Sequence, residues 1–193
     1  MKLEDQVEIL LELVQNLDVF AWNPYEVPRV EPTFITHRLN VNPSITPKKQ
    51  KPRRWAKPHV EAVKVEVKKL KQTGAIKEVF FPEWLSNTVV VKSKNGKWRV
   101  CVDFTDLNRM CPKDSFPVPK IDQFVDATIE HQRMSFLDAF QGYHQIALAT
   151  EYQEKTSFIS PKGNYHYTVM PFELKNVGAI YQHGYQNVQG ANM

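Results

Sequence analysis

The chain has 193 residues and a mass of 22.5 kDa, with 42% apolar and 24% charged residues, the composition of one globular domain with a short extension. Seven glycines against 13 prolines exclude a collagen-like or glycine-rich polymer, two cysteines exclude a disulfide scaffold, and no apolar run reaches the ~18 residues of a transmembrane helix. The net charge is only +4, yet residues 48–77 hold 11 basic and two acidic side chains, a local +9 that leaves −5 elsewhere. Charge concentrated in this way suits a polyanion such as nucleic acid, although a solvated helix face would carry it equally well.

In chain order, residues 3–17 read as an amphipathic helix. Leu3, Val7, Leu10, Val14 and Leu17 recur at spacings of three and four, with acids between them. Glu4, Asp5, Glu8 and Glu12 stand where a signal peptide would need an apolar stretch, so the expectation is an intracellular chain with reduced thiols and no membrane partner. Residues 23–58 carry Pro24, Pro28, Pro32, Pro43, Pro47, Pro52 and Pro58. They are expected to be extended and irregular, because each ring removes a donor and biases its predecessor away from helix. A second helix is expected from Pro58 to Thr73, with Val60, Val63, Val67 and Leu70 as its buried stripe and Gly74 past its end.

The string TVVVKSKNGKWRVCVDF (88–104) places two β-rich runs around Asn95-Gly96, a pair favoured where a hairpin needs positive φ. Trp98, Val100 and Val102 alternate with Arg99, Cys101 and Asp103, giving one apolar face. Residues 106–119 read as a proline-punctuated loop and 120–130 as a short helix with Ile121, Phe124, Val125 and Ile129 on one side. MSFLDAF (134–140) reads as a buried strand, residues around 161–164 as a second hairpin turn, and 173–185 as the start of a last helix. Strands and helices mix without regular βαβ alternation, which predicts an α+β fold.

The six histidines do not combine with Cys101 or Cys111 at zinc-ligand spacing, and no phosphate-binding Gly-rich loop or nucleophile elbow is present. One acid stands out. Asp138 closes an apolar run, where a carboxylate facing a cleft can hold a divalent cation; a helix cap or surface acid is the plainer alternative. Tyr143, His144 and Gln145 follow at close range, and a hairpin bearing Lys92, Lys94, Lys97 and Arg99 precedes it.

The strings DVFAW (18–22), HRLNV (37–41), FPEWLSNTVVVK (81–92), NGKWRVCVDFTDLNRMCPKDSFPVPKIDQFVDAT (95–128), SFLDAFQGYHQI (135–146), EKTSFIS (154–160) and VMPFELKN (169–176) occur in this order. With them the chain resembles the reverse transcriptase domain of gypsy-type LTR retrotransposons, particularly those of plants. The resemblance covers about residues 18–183 and implies right-hand polymerase fingers plus an incomplete palm. It implies that 1–32 are an N-terminal helix and linker, 33–113 and 146–176 fingers, 114–145 palm, and 177–193 palm cut short and followed by an unrelated tail.

The resemblance also implies roles. Asp138 is the first of the carboxylates that bind two Mg²⁺, with the Ala139 carbonyl a further ligand. Lys92 and Arg99 grip the triphosphate of the incoming dNTP, Tyr143 lies beneath its sugar and excludes a 2′-hydroxyl, and Phe172 flanks the same pocket. Lys48, Lys49, Lys51, Arg53 and Arg54 are the candidate contacts to an RNA or DNA template-primer. Without the resemblance, Lys92 and Arg99 read as solvated hairpin charges and Tyr143 as a core aromatic.

The sequence departs from the family at several points. The Tyr-x-Asp-Asp hairpin that supplies the remaining carboxylates is missing, and no Asp follows Asp138. Glu173 stands where the family has Gly, and Gln141 where Ser is common. From His183 onward the string HGYQNVQGANM no longer resembles the family, which reads as a join after a break. The expectation is a fragment of an RNA-directed DNA polymerase that is inactive alone. A non-catalytic nucleic-acid-binding remnant and an inert pseudogene product are the alternatives.

Overall fold

The computed structural model describes residues 3–23, 25–42, 44–115, 120–129, 131, 134 and 138–190, with the backbone alone at 123, 124, 127 and 185–190. In chain order these form α1 (Leu3–Gln15), β1 (Thr36–His37), α2 (Lys57–Gln72), β2 (Ile76–Glu78), β3 (Thr88–Lys92), β4 (Trp98–Val102), α3 (Thr105–Arg109) and α4 (Ile121–Thr128). There follow α5 (Gly142–Gln145), β5 (Ala147–Leu148), α6 (Thr150–Gln153), β6 (Phe158–Ser160), β7 (Gly163–Tyr167) and α7 (Val177–Gly190).

Helix α2 forms because its apolar residues keep helical spacing and Pro58 lies in the first turn, where no N–H partner is lost. Val63, Val67 and Leu70 are buried, and the Ala75 N–H closes the end on the Leu70 carbonyl at 2.9 Å. Burying each of these side chains stabilises the fold by about 1.5–3 kcal/mol. They pack into one core with Trp84, Phe104, Leu107, Phe158, Tyr165, Tyr167 and Met170.

The strands form three small sheets, and α2 packs against two of them, β2-β7-β6 and β3-β4. β2, β7 and β6 form an antiparallel sheet in the order β2-β7-β6, β3 pairs with β4, and β1 lies parallel to β5. The mixture without βαβ alternation is the α+β arrangement expected. The β3–β4 ribbon is tied to the larger sheet at its base, where the Ile159 N–H donates to the Ser86 carbonyl at 2.9 Å. Burial along the ribbon falls from Thr88 and Val102 at the base to Lys92 and Trp98 near the tip, so the hairpin projects from the body. Its turn differs from a two-residue loop. Gly96 has φ +80 but Asn95 does not share a positive value, and Ser93 and Lys97 are joined by a 2.8 Å backbone bond. This is a turn completed by one left-handed glycine.

Other expectations fare unevenly. The loop expected over 106–119 contains α3, because the Asp103 carboxylate accepts from the Thr105 N–H at 3.2 Å and starts a helix there. Helix α1 forms but ends at Gln15, short of Leu17, and the expected stripe of Leu3, Val7, Leu10, Val14 and Leu17 stays exposed, with no α1 residue buried. Ile121 and Val125 of α4 and Ile129 just past its end are exposed as well. The strand expected over 134–140 lies largely outside the described residues, and Asp138 to Phe140 are exposed and not in a strand. The second hairpin and last helix occur as β6–β7 and α7, the latter running unbroken through His183.

Candidate active site

Asp138 and Ala139 lead into α5, a helix of four residues whose preceding residue, Gln141, has a left-handed φ of +47. The turn is closed by the Gly142 N–H donating to the Ala139 carbonyl at 3.0 Å. Gly142 sits at a close approach. A Cβ there would stand 3.1 Å from the Ala139 Cβ and 3.1 Å from Cε2 of Tyr181 on α7. Asp138, Ala139, Gln141, Gly142, Tyr143, Phe172 and Tyr181 thereby line one open cleft of about 500 Å³. The Tyr143 ring packs against Phe172 and Tyr181, with centroids 5.2 and 5.4 Å away.

A second cleft of about 470 Å³ shares Gln141 and Phe172 with the first. Its other walls include Glu66, Lys69, Trp98, Arg99, Cys101, His144 and Glu173. His144 packs its ring 5.3 Å from that of Phe172. Burial, with the Lys69 ammonium adding to it, holds His144 down at about 4, so it is a neutral ring in the wall. Burial pushes the Cys101 thiol up, and the Glu173 carboxylate hydrogen-bonded to it raises it further.

Phe172 stands between the clefts because its loop is pinned. Glu173 has φ +73 and Asn176 φ +70. The Glu173 carbonyl accepts from Asn108 Nδ2 at 2.7 Å, the Lys175 ammonium donates to the Cys111 carbonyl at 2.7 Å, and Asn176 Nδ2 donates to the Pro112 carbonyl at 2.9 Å. The left-handed backbone at Glu173 is the conformation that a glycine adopts without cost.

Lys92 and Arg99, the two residues expected at the triphosphate, lie on opposite faces of the ribbon. Lys92 pairs across the ribbon with Trp98, and Arg99 with Val91, so the period of two sends the two charges to opposite faces. Arg99 lines the second cleft, while the Lys92 ammonium lies 5.8 Å from the centroid of the Trp98 ring.

The basic strap of residues 48–54 is held by two amides that sequence reasoning missed. Gln50 Oε1 accepts from the Asn87 N–H at 2.8 Å, and Gln50 Nε2 donates to the Asp103 carbonyl at 3.0 Å. Asn87, almost wholly buried, donates to the Lys51 carbonyl and accepts from the Arg53 N–H. Arg53 pairs with Asp103 at 3.0 Å and Lys48 with Asp106 at 3.8 Å. The Thr105 hydroxyl, with Arg53 assisting, holds the Asp103 carboxyl below its ordinary range. Lys49, Lys51 and Arg54 are exposed and have no ion-pair partner among the described residues.

Comparison with known proteins decides the family. Residues 90–190, just over half the chain, match the family described as reverse transcriptase (RNA-dependent DNA polymerase). The chain belongs to the reverse transcriptase family. The match passes through His183 to residue 190, so the likeness does not end where the sequence reading placed a break. The chain is 30% identical over 158 residues to the retrovirus-related Pol polyprotein from transposon 297 of Drosophila melanogaster, covering 80% of this chain and 15% of that one. It is 35% identical over 129 residues to the corresponding polyprotein from transposon gypsy of the same organism, covering 64% of this chain and 12% of that one. The chain therefore spans about an eighth of the length of these polyproteins. The fold is that of a foamy viral protease-reverse transcriptase solved in complex with double-stranded DNA. The TM-score is 0.77 at 14% identity, covering 99% of this chain and 33% of that one. These likenesses support a polymerase fingers and palm fragment.

Proposed function

We propose that this reverse transcriptase segment supplies the fingers (33–113 and 146–176) and part of the palm (114–145 and 177 onward) of an RNA-directed DNA polymerase. That enzyme adds dNTPs to a primer paired with an RNA or DNA template. The observation that carries the reading is the meeting of Asp138, Ala139, Tyr143 and Phe172 around one cleft, continuous through Gln141 and Phe172 with a second cleft that holds Arg99.

The donor set fits a hard cation that arrives with its nucleotide. Mg²⁺ keeps several waters and takes one or two carboxylates plus substrate phosphates. Asp138 is exposed at the cleft, and the Ala139 carbonyl, though it accepts one bond, retains a second lone pair. These two residues would hold the ion, which supplies charge neutralisation at the phosphates when bound. A second ion needs further carboxylates, and no Asp follows Asp138 in this sequence.

Arg99 attracts the triphosphate electrostatically, and its planar fork suits phosphate oxygens. Tyr143, fixed between Phe172 and Tyr181, presents a rigid ring where the sugar would lie, and a 2′-hydroxyl would strike it. Glu173, in the second cleft, repels an anionic substrate by about 1 kcal/mol per charge pair in water and about 4 at an effective dielectric of 20. The strap of Lys48, Lys49, Lys51, Arg53 and Arg54 contacts template-primer phosphates, and the alternative of a binding remnant would use the same strap without chemistry.

Two measurements test this. Nucleic-acid affinity should fall steeply with salt, and changing the five strap residues to Gln should flatten the slope of log affinity against log salt; an unchanged slope removes the strap from the interface. Primer extension should be absent for the chain alone. It should appear when everything after Val177 is replaced by the matching segment of an active gypsy-type enzyme, with Glu173→Gly. A folded, DNA-binding chimera without template-dependent extension would leave the binding-remnant reading.

A further inference from the structure

Outside both clefts, the connection from β2 to β3 exposes two neighbouring aromatic rings. Phe80 is 76% exposed and Phe81 94%, and Phe81 holds φ +57, a left-handed backbone that is an outlier for a bulky side chain. Backbone strain and an uncovered ring coincide at this one residue, a combination found at ligand-binding surfaces. Beside the rings lies a concavity of about 380 Å³ lined by Lys49, Glu78, Pro82, Leu85 and Asn164. The basic strap is joined to this loop through the backbone. The Gln50 N–H donates to the Leu85 carbonyl at 2.8 Å, and the Leu85 N–H to the Lys48 carbonyl at 3.0 Å.

We propose that Phe80 and Phe81 are a stacking platform for unpaired bases of a single-stranded polynucleotide whose phosphates follow Lys49, Lys51 and Arg54. The proposal rests on the polynucleotide reading above and adds a site to it. Those three cations are exposed and, among the described residues, have no carboxylate partner, so they are available to phosphate. Lys77 on β2 and Lys162 in the β6–β7 turn add exposed positive charge, against Glu78 and Glu83. Aromatic rings beside a basic track are the combination that grips single strands, because every base has a π face to stack. A duplex keeps its bases inside and gains only the phosphate contacts.

The test is anisotropy of the full chain with labelled oligothymidylate and with a blunt duplex of equal charge. The variant is Phe80→Ala/Phe81→Asn, since Asn tolerates the left-handed backbone, with Phe81→Trp as the variant that keeps a ring. The double substitution should weaken single-strand binding about tenfold or more. It should leave duplex binding and the salt slope unchanged, while Phe81→Trp retains the affinity. Unchanged single-strand affinity in the double variant, or an equal loss on duplex, overturns the proposal alone. So does a dimer in sedimentation that dissolves on the double substitution while nucleic-acid affinity stays. If the unmodified chain binds neither probe, the polynucleotide reading fails with it.

Discussion

Glu173→Gly is expected to stabilise this protein although it deletes a side chain. Glu173 holds φ +73, and its carbonyl is fixed by Asn108 Nδ2 at 2.7 Å, so the backbone cannot relax without losing that bond. A left-handed residue with a Cβ costs about 1–2 kcal/mol. Glycine removes that cost but returns about 0.4–1 kcal/mol through a freer unfolded chain. The net gain is about 1 kcal/mol, which for a chain of this size raises the melting temperature by about 2–4 °C. Glu173→Gln is the control. It keeps the strained backbone and removes only the charge, so its melting temperature should stay near that of the unmodified protein. A second readout separates the two effects. Both variants remove the carboxylate that raises the Cys101 thiol, so both should alkylate faster at mildly alkaline pH, with burial still slowing them relative to a free thiol. Equal thermal gains for Gly and Gln would show that the cost is electrostatic, and a fall in melting temperature for Gly would refute the strain argument.

Stability should fall with acid well before the carboxylates titrate. His37 and His144 are held by burial at about 4, against 6.5 when unfolded, so the unfolded state takes up protons first as pH drops. The stabilisation is complete above about pH 6.5 and is lost as pH falls toward 4, at about 3 kcal/mol per histidine. Burial lowers His166 as well and adds to the same loss. Denaturant midpoints at pH 7 and pH 4.5 measure it, His37→Leu should remove only the His37 share of the difference, and equal midpoints would contradict it. Gly142→Ala should change stability by no more than about 1 kcal/mol, because its Cβ would stand 3.1 Å from the exposed Ala139 and the half-buried Tyr181, contacts that a shift of a few tenths of an ångström relieves, and denaturation checks this directly.

The parts of this molecule that sequence reveals are those whose pattern has one local solution. The helical spacing of Val63, Val67 and Leu70 makes α2 a helix with one apolar face, and both hairpins follow from alternation broken by glycine-containing turns. What escaped depends on partners distant in the chain. Gln50 and Asn87 are 37 residues apart, and nothing near either marks them as a pair. Helix α1 has the spacing of a buried helix, but burial needs a partner surface, and its leucines are exposed. For the site, Asp138, Tyr143 and Phe172 were found as members of one cleft through family motifs, whereas Tyr181 and His144 line the clefts through packing alone. The placement of Lys92 and Arg99 on opposite faces of the ribbon comes from strand register, which spacing along the sequence does not convey.

The proposed role of Asp138 is to organise nucleotidyl transfer at the cleft beside Tyr143. Single-turnover primer extension by the chimera, with and without Asp138→Asn, isolates that role. Asp138→Asn should abolish extension while template-primer binding and the melting temperature are kept, because only the cation's carboxylate is lost. An Asp138→Asn chimera that extends primers at the parent rate would contradict the claim.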